Sequence, residues 1–384
     1  MSSTPVLRPR RFFGPFQLLV RICGLDLTYS IFTWKEAKQA GATCRAIFFT
    51  ITTTFIMTIL IMDLIAIGKT ENDSFSIQWL LTNLKFGMVL HGVASAGFMA
   101  ALTAKHVFQQ LEQQYAALSL RIPSNTRMRA VVLTVMFVFT IILMLVVVSN
   151  AADDTSTWIK GGSPISFKNI WGADPFIRIV CGLFSCLSTV IYILAFGGIT
   201  QQFRGFNEEL RTAANEADLT YDSLISFVQR QKELLAMVRY VNDTFGKLVN
   251  LGAIGAFIAH VTAVAIFVGH RSSLTGGQVA LMIGYLVISG NLMASLLYVP
   301  GMLNAQVQEL RDILILKSNV GLSKNEMLLP LVNHMVQRAE APENKLCFLH
   351  TFLIDLRIAH RLTLTMLPLS NILIFLGRIY GVQQ

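Results

Sequence analysis

The sequence predicts an all-α membrane protein with seven transmembrane helices, a cytoplasmic N-terminus and an extracellular C-terminus. Three observations carry that prediction. Of 384 residues, 53% are hydrophobic and only 14% are charged, against about 25% charged in a soluble domain. Seven runs are apolar over close to the ~20 residues that cross a bilayer as a helix. Finally, 23 of the 31 Lys and Arg residues fall in alternate connections between those runs, which is the bias that orients membrane proteins. The net charge of +9 is thus distributed among connections and forms no single basic patch, so no nucleic-acid partner is expected.

The expected spans are 46–68, 79–104, 130–150, 175–199, 245–269, 279–303 and 362–380. The run 12–27 is interrupted by Pro15, Arg21 and Asp26, so no cleavable signal is expected there and the first span serves as the insertion signal. Lys85 and His91 lie in the second span and Arg178 in the fourth. The last span combines Thr363, Thr365, Ser370 and Asn371 with a helix-breaking Pro368 and with Gly377. A helix that merely anchors needs none of these, whereas one that lines water or moves can use them all. Equally, hydroxyls bond back to their own helix, and an Asn can pair with a neighbouring one.

The basic residues place 1–45, the second-to-third, fourth-to-fifth and sixth-to-seventh connections in the cytoplasm. That makes 46–199 a block of four spans, 200–244 a cytoplasmic helical loop and 245–303 the fifth and sixth spans. A cytoplasmic anchor at 304–361 and the last helix with a short outer tail at 362–384 follow. Asn72-Asp73-Ser74 falls in the first outer loop, where Asn72 is a glycosylation acceptor. A G-protein-coupled receptor has the opposite orientation, and this chain has neither Asn-Pro-x-x-Tyr near its end nor Asp-Arg-Tyr after the third span. Signalling through a G protein is therefore the secondary reading. A transporter is weaker still, for lack of a repeat with paired broken helices.

Within the cytoplasmic loop, Leu224, Phe227, Leu234, Val238, Val241 and Phe245 recur every three or four residues among Asp222, Arg230, Lys232 and Arg239. This is an amphipathic helix running into the fifth span. Two further helices are expected at 324–340 and 346–360, so that the fifth to seventh helices extend into the cytoplasm and pack there.

Enzyme signatures are missing. The seven His residues form no H-E-x-x-H and no i, i+4 pair, and there is no P-loop, G-x-S-x-G or G-x-G-x-x-G. The five Cys have no C-x-x-C spacing and none lies in an expected outer segment, so neither a disulfide framework nor a metal site is expected, and no cofactor. Lys85, His91, Arg178, Tyr192, His260, Tyr285 and Asn291, with Ser289, offer polar and aromatic groups at mid-membrane to outer depth. Singly these are interhelical bonds or interface anchors. Together they suit a small-molecule pocket opening outward.

Several segments resemble the insect gustatory and odorant receptor superfamily, on its gustatory side. They are Pro15-Phe16-Gln17-Leu18-Leu19 with Cys23-Gly24-Leu25, Phe206-Asn207-Glu208-Glu209-Leu210, and Val238 through Gly246 at the start of the fifth span. The family's last-helix motif is Thr-Tyr, five hydrophobic residues, then Gln-Phe. Its spacing is met by Ser370-Asn371, 372–376 and Gly377-Arg378. The resemblance implies a ligand-gated cation channel, a homotetramer or heterotetramer with related subunits, in the plasma membrane of sensory neurons. Its pore would be lined by the last helix through Ser370, Asn371, Leu373 and Gly377, and its ligand would be a tastant or other small molecule. With Gly377-Arg378 in place of Gln-Phe, a non-conducting partner subunit is the further alternative.

Overall fold

The computed structural model describes residues 40–69, 74–104, 110, 173–215, 220–274, 276–317, 328–345, 347–348 and 352–381. The expected third span, 130–150, and Asn72 lie outside them. The helices are α1 (Ala40–Gly68), α2 (Ile77–Ala104), α3 (Ala173–Asn215), α4 (Tyr221–Gly269), α5 (Gly276–Asp312), α6 (Leu328–Glu340) and α7 (Leu356–Gly381). Two-residue strands, β1 (Cys347–Phe348) and β2 (Phe352–Leu353), form the one hairpin among the described residues. Among the described residues, four stretches are long and apolar enough to cross a membrane: Ile77–Leu102, Tyr221–Gly269, Met282–Ile315 and Leu356–Ile379.

Helix α4 is the spine of the bundle. Thr220 caps it, its hydroxyl accepting from the Ser223 N–H at 3.3 Å, and Asp222 in the first turn suits the positive end of the helix dipole. Its 49 residues contain no proline, and at 1.5 Å per residue they extend about 74 Å. That is more than twice the ~30 Å hydrocarbon thickness. Along this length α4 packs against α2, α3, α5, α6 and α7.

Two kinds of seam join it to its neighbours. In the apolar half, α2 crosses α4 with Gly87 against Gly255. A Cβ on Gly87 would fall 2.5 Å from the Gly255 carbonyl oxygen, and one on Gly255 2.6 Å from the Gly87 carbonyl. Small residues let two backbones touch where no hydrophobic drive exists between helices in lipid. In the other half the seams are polar. Gln231, fully buried, donates to the Met335 carbonyl at 2.7 Å, and Arg239 donates to Asn344 at 2.7 Å while pairing with Glu343. Arg311 pairs with Glu340 at 3.0 Å, and ion pairs Arg211–Glu309 and Arg230–Glu209 join α3 to α5 and α4. The amphipathic stripe read from the sequence is buried here at Leu224, Leu234, Leu235, Val238, Val241 and Phe245.

Two expectations are corrected. The stretch 346–360 is not one helix: Cys347 pairs with Leu353 and Phe348 with Phe352 in the antiparallel hairpin. The Asp355 carboxylate then accepts from the Ile358 N–H at 2.6 Å, an N-cap that starts α7 at Leu356 and leaves the preceding residues to the strands. Replacing this cap, Asp355→Ala, is expected to lower stability by about 1 kcal/mol, read as a lower melting temperature of the purified protein in detergent. Nor does Pro368 break the last helix. It sits inside a continuous α7, carried by the helical bonds on either side of it.

Helix α5 does contain a proline that matters, Pro300, followed by Gly301. A Cβ on Gly301 would lie 3.3 Å from the backbone of Asp355 and Leu356, and the Asn304 amide donates to the Ile354 carbonyl at 2.6 Å. The first turn of α7 is thus seated on α5 at its proline.

Candidate functional site

Four helices meet at the layer of His91. The ring Nδ1 lies 3.2 Å from the Gly252 carbonyl oxygen. A carbonyl only accepts, so Nδ1 carries the proton and Nε2 the lone pair. Gly252 makes room for this: a Cβ there would meet the imidazole at 3.1 Å and the Leu296 side chain at 3.2 Å. On the far side of Leu296, the Tyr192 hydroxyl donates to its carbonyl at 3.0 Å. The reason is local. Pro300 has no N–H to give the carbonyl four residues before it, which is that of Leu296, so the phenol supplies the missing donor. Tyr192 in turn stacks with Phe196 at 4.7 Å and approaches Phe245 at 5.7 Å, and Phe98 meets Phe245 at 4.9 Å. His91 Nε2 and the hydroxyl of Ser95, one turn further along α2, are buried and have no hydrogen-bond partner among the described residues.

A second polar group lies about 12 Å along α4, eight residues at 1.5 Å each. His260 Nδ1 is 3.1 Å from the Ser289 Oγ, which donates to the Tyr285 carbonyl at 2.6 Å and so accepts from the histidine. Gly290 admits the ring, since a Cβ there would lie 3.3 Å from it. Of the expected pocket residues, His91 and Tyr192 each bond to a backbone carbonyl of a neighbouring helix, and His260 reaches Tyr285 only through Ser289. Asn291 is exposed on α5 and joins neither group. Lys85 is half-buried on α2, and Arg178 is on α3 with its side chain outside the described residues. Among the described residues no three His, Cys, Asp or Glu side chains are grouped to hold a metal ion.

On α7 the four expected pore-side residues divide. Ser370 is fully buried, and its hydroxyl donates to the Met366 carbonyl at 2.8 Å and to the Val261 carbonyl of α4 at 3.2 Å. This hydroxyl, expected on the pore side, is turned here into packing within the chain. Leu373 is partly buried against the core, and a Cβ on Gly377 would come within 3.4 Å of the Phe75 carbonyl oxygen. Asn371 is exposed, on a stripe with Leu364, Pro368, Ile372, Phe375 and Arg378. The hydroxyls of Thr363 and Thr365 bond back to their own helix. Only 12% of the apolar stretch of α7 is buried in the chain, against 44% in α2 and in α5, so α7 is the most exposed of the four described spans.

Sequence reasoning missed Ser95, Pro300 and the Gly87–Gly255 crossing. For Pro300 the signal existed. A proline inside the expected span 279–303 leaves one carbonyl in need of a donor, and Tyr192 is an apolar-span residue able to provide one.

Two solved structures match over nearly their whole length. The insect olfactory receptor OR5 from Machilis hrabei in complex with eugenol superposes with a TM-score of 0.71 at 12% identity, covering 96% of this chain and 98% of that one. The same receptor described without eugenol superposes with a TM-score of 0.68 at 11% identity, covering 95% and 97%. Both are receptors and neither is an enzyme. At such identity the likeness establishes the fold alone, shared with this olfactory receptor. No curated protein matches the sequence. The family described as Caenorhabditis protein of unknown function, DUF267, matches residues 12–370, and the chain belongs to that family.

Proposed function

We propose that the protein is a chemosensory receptor that is itself a ligand-gated cation channel, built of four subunits in the plasma membrane. The observation that carries this reading is the agreement in fold with an olfactory receptor over 96% of the chain. That receptor's complex with eugenol favours a small, largely apolar ligand here, held in the polar and aromatic layers around His91 and His260. The membrane arrangement is seven spans with the N-terminus inside. The polar half of α4, with α6 and the hairpin, forms a cytoplasmic anchor. The stripe of α7 bearing Asn371 and Phe375 faces the pore or a neighbouring subunit, while Ser370 and Leu373 hold the helix to its own subunit.

Expressing the chain alone and recording membrane current during application of small apolar compounds tests this reading. The expected result is an evoked cation current whose selectivity rises with Asn371→Asp, a substitution that would place a ring of carboxylates in the pore. Ser370→Ala is expected to leave permeation unchanged. Absence of current across the panel, or permeation indifferent to charge at Asn371 and Phe375, overturns the channel. A tag after Gln384 should be reached by antibody on intact cells. Staining only after permeabilisation would favour the opposite orientation and a G-protein partner.

A further inference from the structure

Four arginines of the cytoplasmic half have an acidic partner: Arg211 pairs with Glu309, Arg230 with Glu209, Arg239 with Glu343 and Arg311 with Glu340. The base of α7 departs from that pattern. Arg357 and Arg361 are exposed, with the exposed His360 between them, and none of the three side chains has an ion pair or hydrogen bond among the described residues. Helix α7 contains neither Asp nor Glu, and the carboxylate that precedes it, Asp355, is engaged on the Ile358 N–H. The position is also unfavourable for the helix itself, because the first turn is the positive end of the dipole, where a cation costs stability. Nor is the patch loosely held. Asn304 donates to the Ile354 carbonyl and Gly301 lies against Asp355 and Leu356, which fixes the start of α7 on α5. Two guanidinium groups and an imidazole are thus held together just below the apolar run that begins at Leu362, with no counter-charge among the described residues.

We propose that Arg357, His360 and Arg361 form a cytoplasmic binding site for a polyphosphorylated anion. This rests on the receptor-channel reading above and deepens it. Arg357 and Arg361 are one turn apart, their Cβ atoms about 6 Å from each other. They begin the exposed stripe that continues through Leu364, Pro368, Ile372 and Phe375. Where that stripe faces the pore of a four-subunit channel, two arginines from each subunit ring its inner mouth. Uncompensated, such a ring repels the cations that the pore conducts. A bound anion removes the conflict. The donors select its chemistry, since a guanidinium fork meets the oxygens of a phosphate two at a time. Arginines on successive turns, repeated on neighbouring subunits, suit a molecule with several phosphates better than one with a single charge. Two sources present such a group. One is a soluble nucleotide or inositol phosphate, and the other is the head group of an inositol lipid in the inner leaflet, where basic residues next to a span meet anionic lipid.

The test titrates sodium tripolyphosphate into the purified full-length protein, with calorimetry and thermal unfolding as readouts. The expected result is saturable binding that raises the melting temperature and weakens as salt is raised. Arg357→Gln and Arg361→Gln should each weaken it about tenfold in Kd. Neither should lower the melting temperature of the ligand-free protein, since each removes a cation from the positive end of a helix. Arg204→Gln, which removes the same charge from an exposed position on α3, should leave the binding unchanged. No binding, equal weakening in Arg204→Gln, or full binding in the Arg357→Gln/Arg361→Gln double variant overturns the site and leaves these arginines as orienting charges alone. Reconstitution in vesicles identifies the source. Phosphatidylinositol bisphosphate in the bilayer, unlike phosphatidylserine, cancels the tripolyphosphate shift where the lipid head group is the occupant, and the shift persists where the occupant is soluble. Binding that depends on Arg361 in a protein giving no evoked current would leave the site standing and sink the channel. Evoked current without tripolyphosphate binding would do the reverse.

Discussion

Gly255→Val, and equally Gly87→Val, is expected to abolish the folded protein, seen as loss of the monodisperse peak when detergent-solubilised protein is run on a sizing column. The new side chain would meet not another side chain but the opposing backbone, with Cβ alone already at 2.6 Å from the Gly87 carbonyl oxygen or 2.5 Å from that of Gly255. Overpacking usually costs about 1–3 kcal/mol because rotamers can give way. Here only a separation of α2 from α4 relieves the contact, and α4 packs on four further helices, α3, α5, α6 and α7. Gly97 and Gly246 provide the control. No atom lies within 4 Å of a Cβ at either position, and Gly→Ala in an open helical position gains up to about 1 kcal/mol. Gly97→Ala and Gly246→Ala should therefore raise the melting temperature, whereas Gly87→Ala and Gly255→Ala should lower it. If all four alanines behave alike, the close crossing of α2 and α4 is wrong.

Tyr192→Phe should destabilise the protein by about 1–3 kcal/mol, the cost of leaving a buried carbonyl unpaired. The cause can be isolated. Pro300→Ala restores an N–H to the turn of α5 and lets the Leu296 carbonyl bond within its own helix. In that background the phenolic hydroxyl is redundant, and Tyr192→Phe should cost markedly less. A double-mutant cycle on thermal unfolding measures the difference, with a coupling of about 0.5–3 kcal/mol expected for groups that share one partner. Strictly additive effects would mean that Tyr192 acts only through its ring, by stacking on Phe196 and Phe245.

The features that follow from composition and period could be read from the sequence: the apolar runs that became α1, α2, α4, α5 and α7, and the amphipathic stripe from Leu224 to Phe245. Those patterns come from local periodicity, and the structure keeps them. The site was harder to read. Tyr192 looked like a pocket residue because a tyrosine in a span is polar, but its partner is set by a proline 108 positions later that only the fold brings near. Ser370 reads as a pore residue from its motif position. The helix rotation that turns it toward Val261 is a tertiary fact with no trace in the spacing. Ser95 resembled an ordinary small residue among Ala94, Ala96 and Gly97, and only its missing back-bond distinguishes it. The hairpin at 347–353 was hidden for another reason: two-residue strands are too short to show a period.

The seating of α7 on α5 has a mechanical consequence. Asn304 and Gly301 grip the chain at Ile354 to Leu356 just beyond the proline of α5, and α7 is next held where Ser370 donates to the Val261 carbonyl of α4. The second contact works as the fulcrum of a lever. A tilt of α5 at Pro300 would move the base of α7, and the stretch beyond Ser370, about 16 Å to Gly381 at 1.5 Å per residue, would swing about that bond to α4.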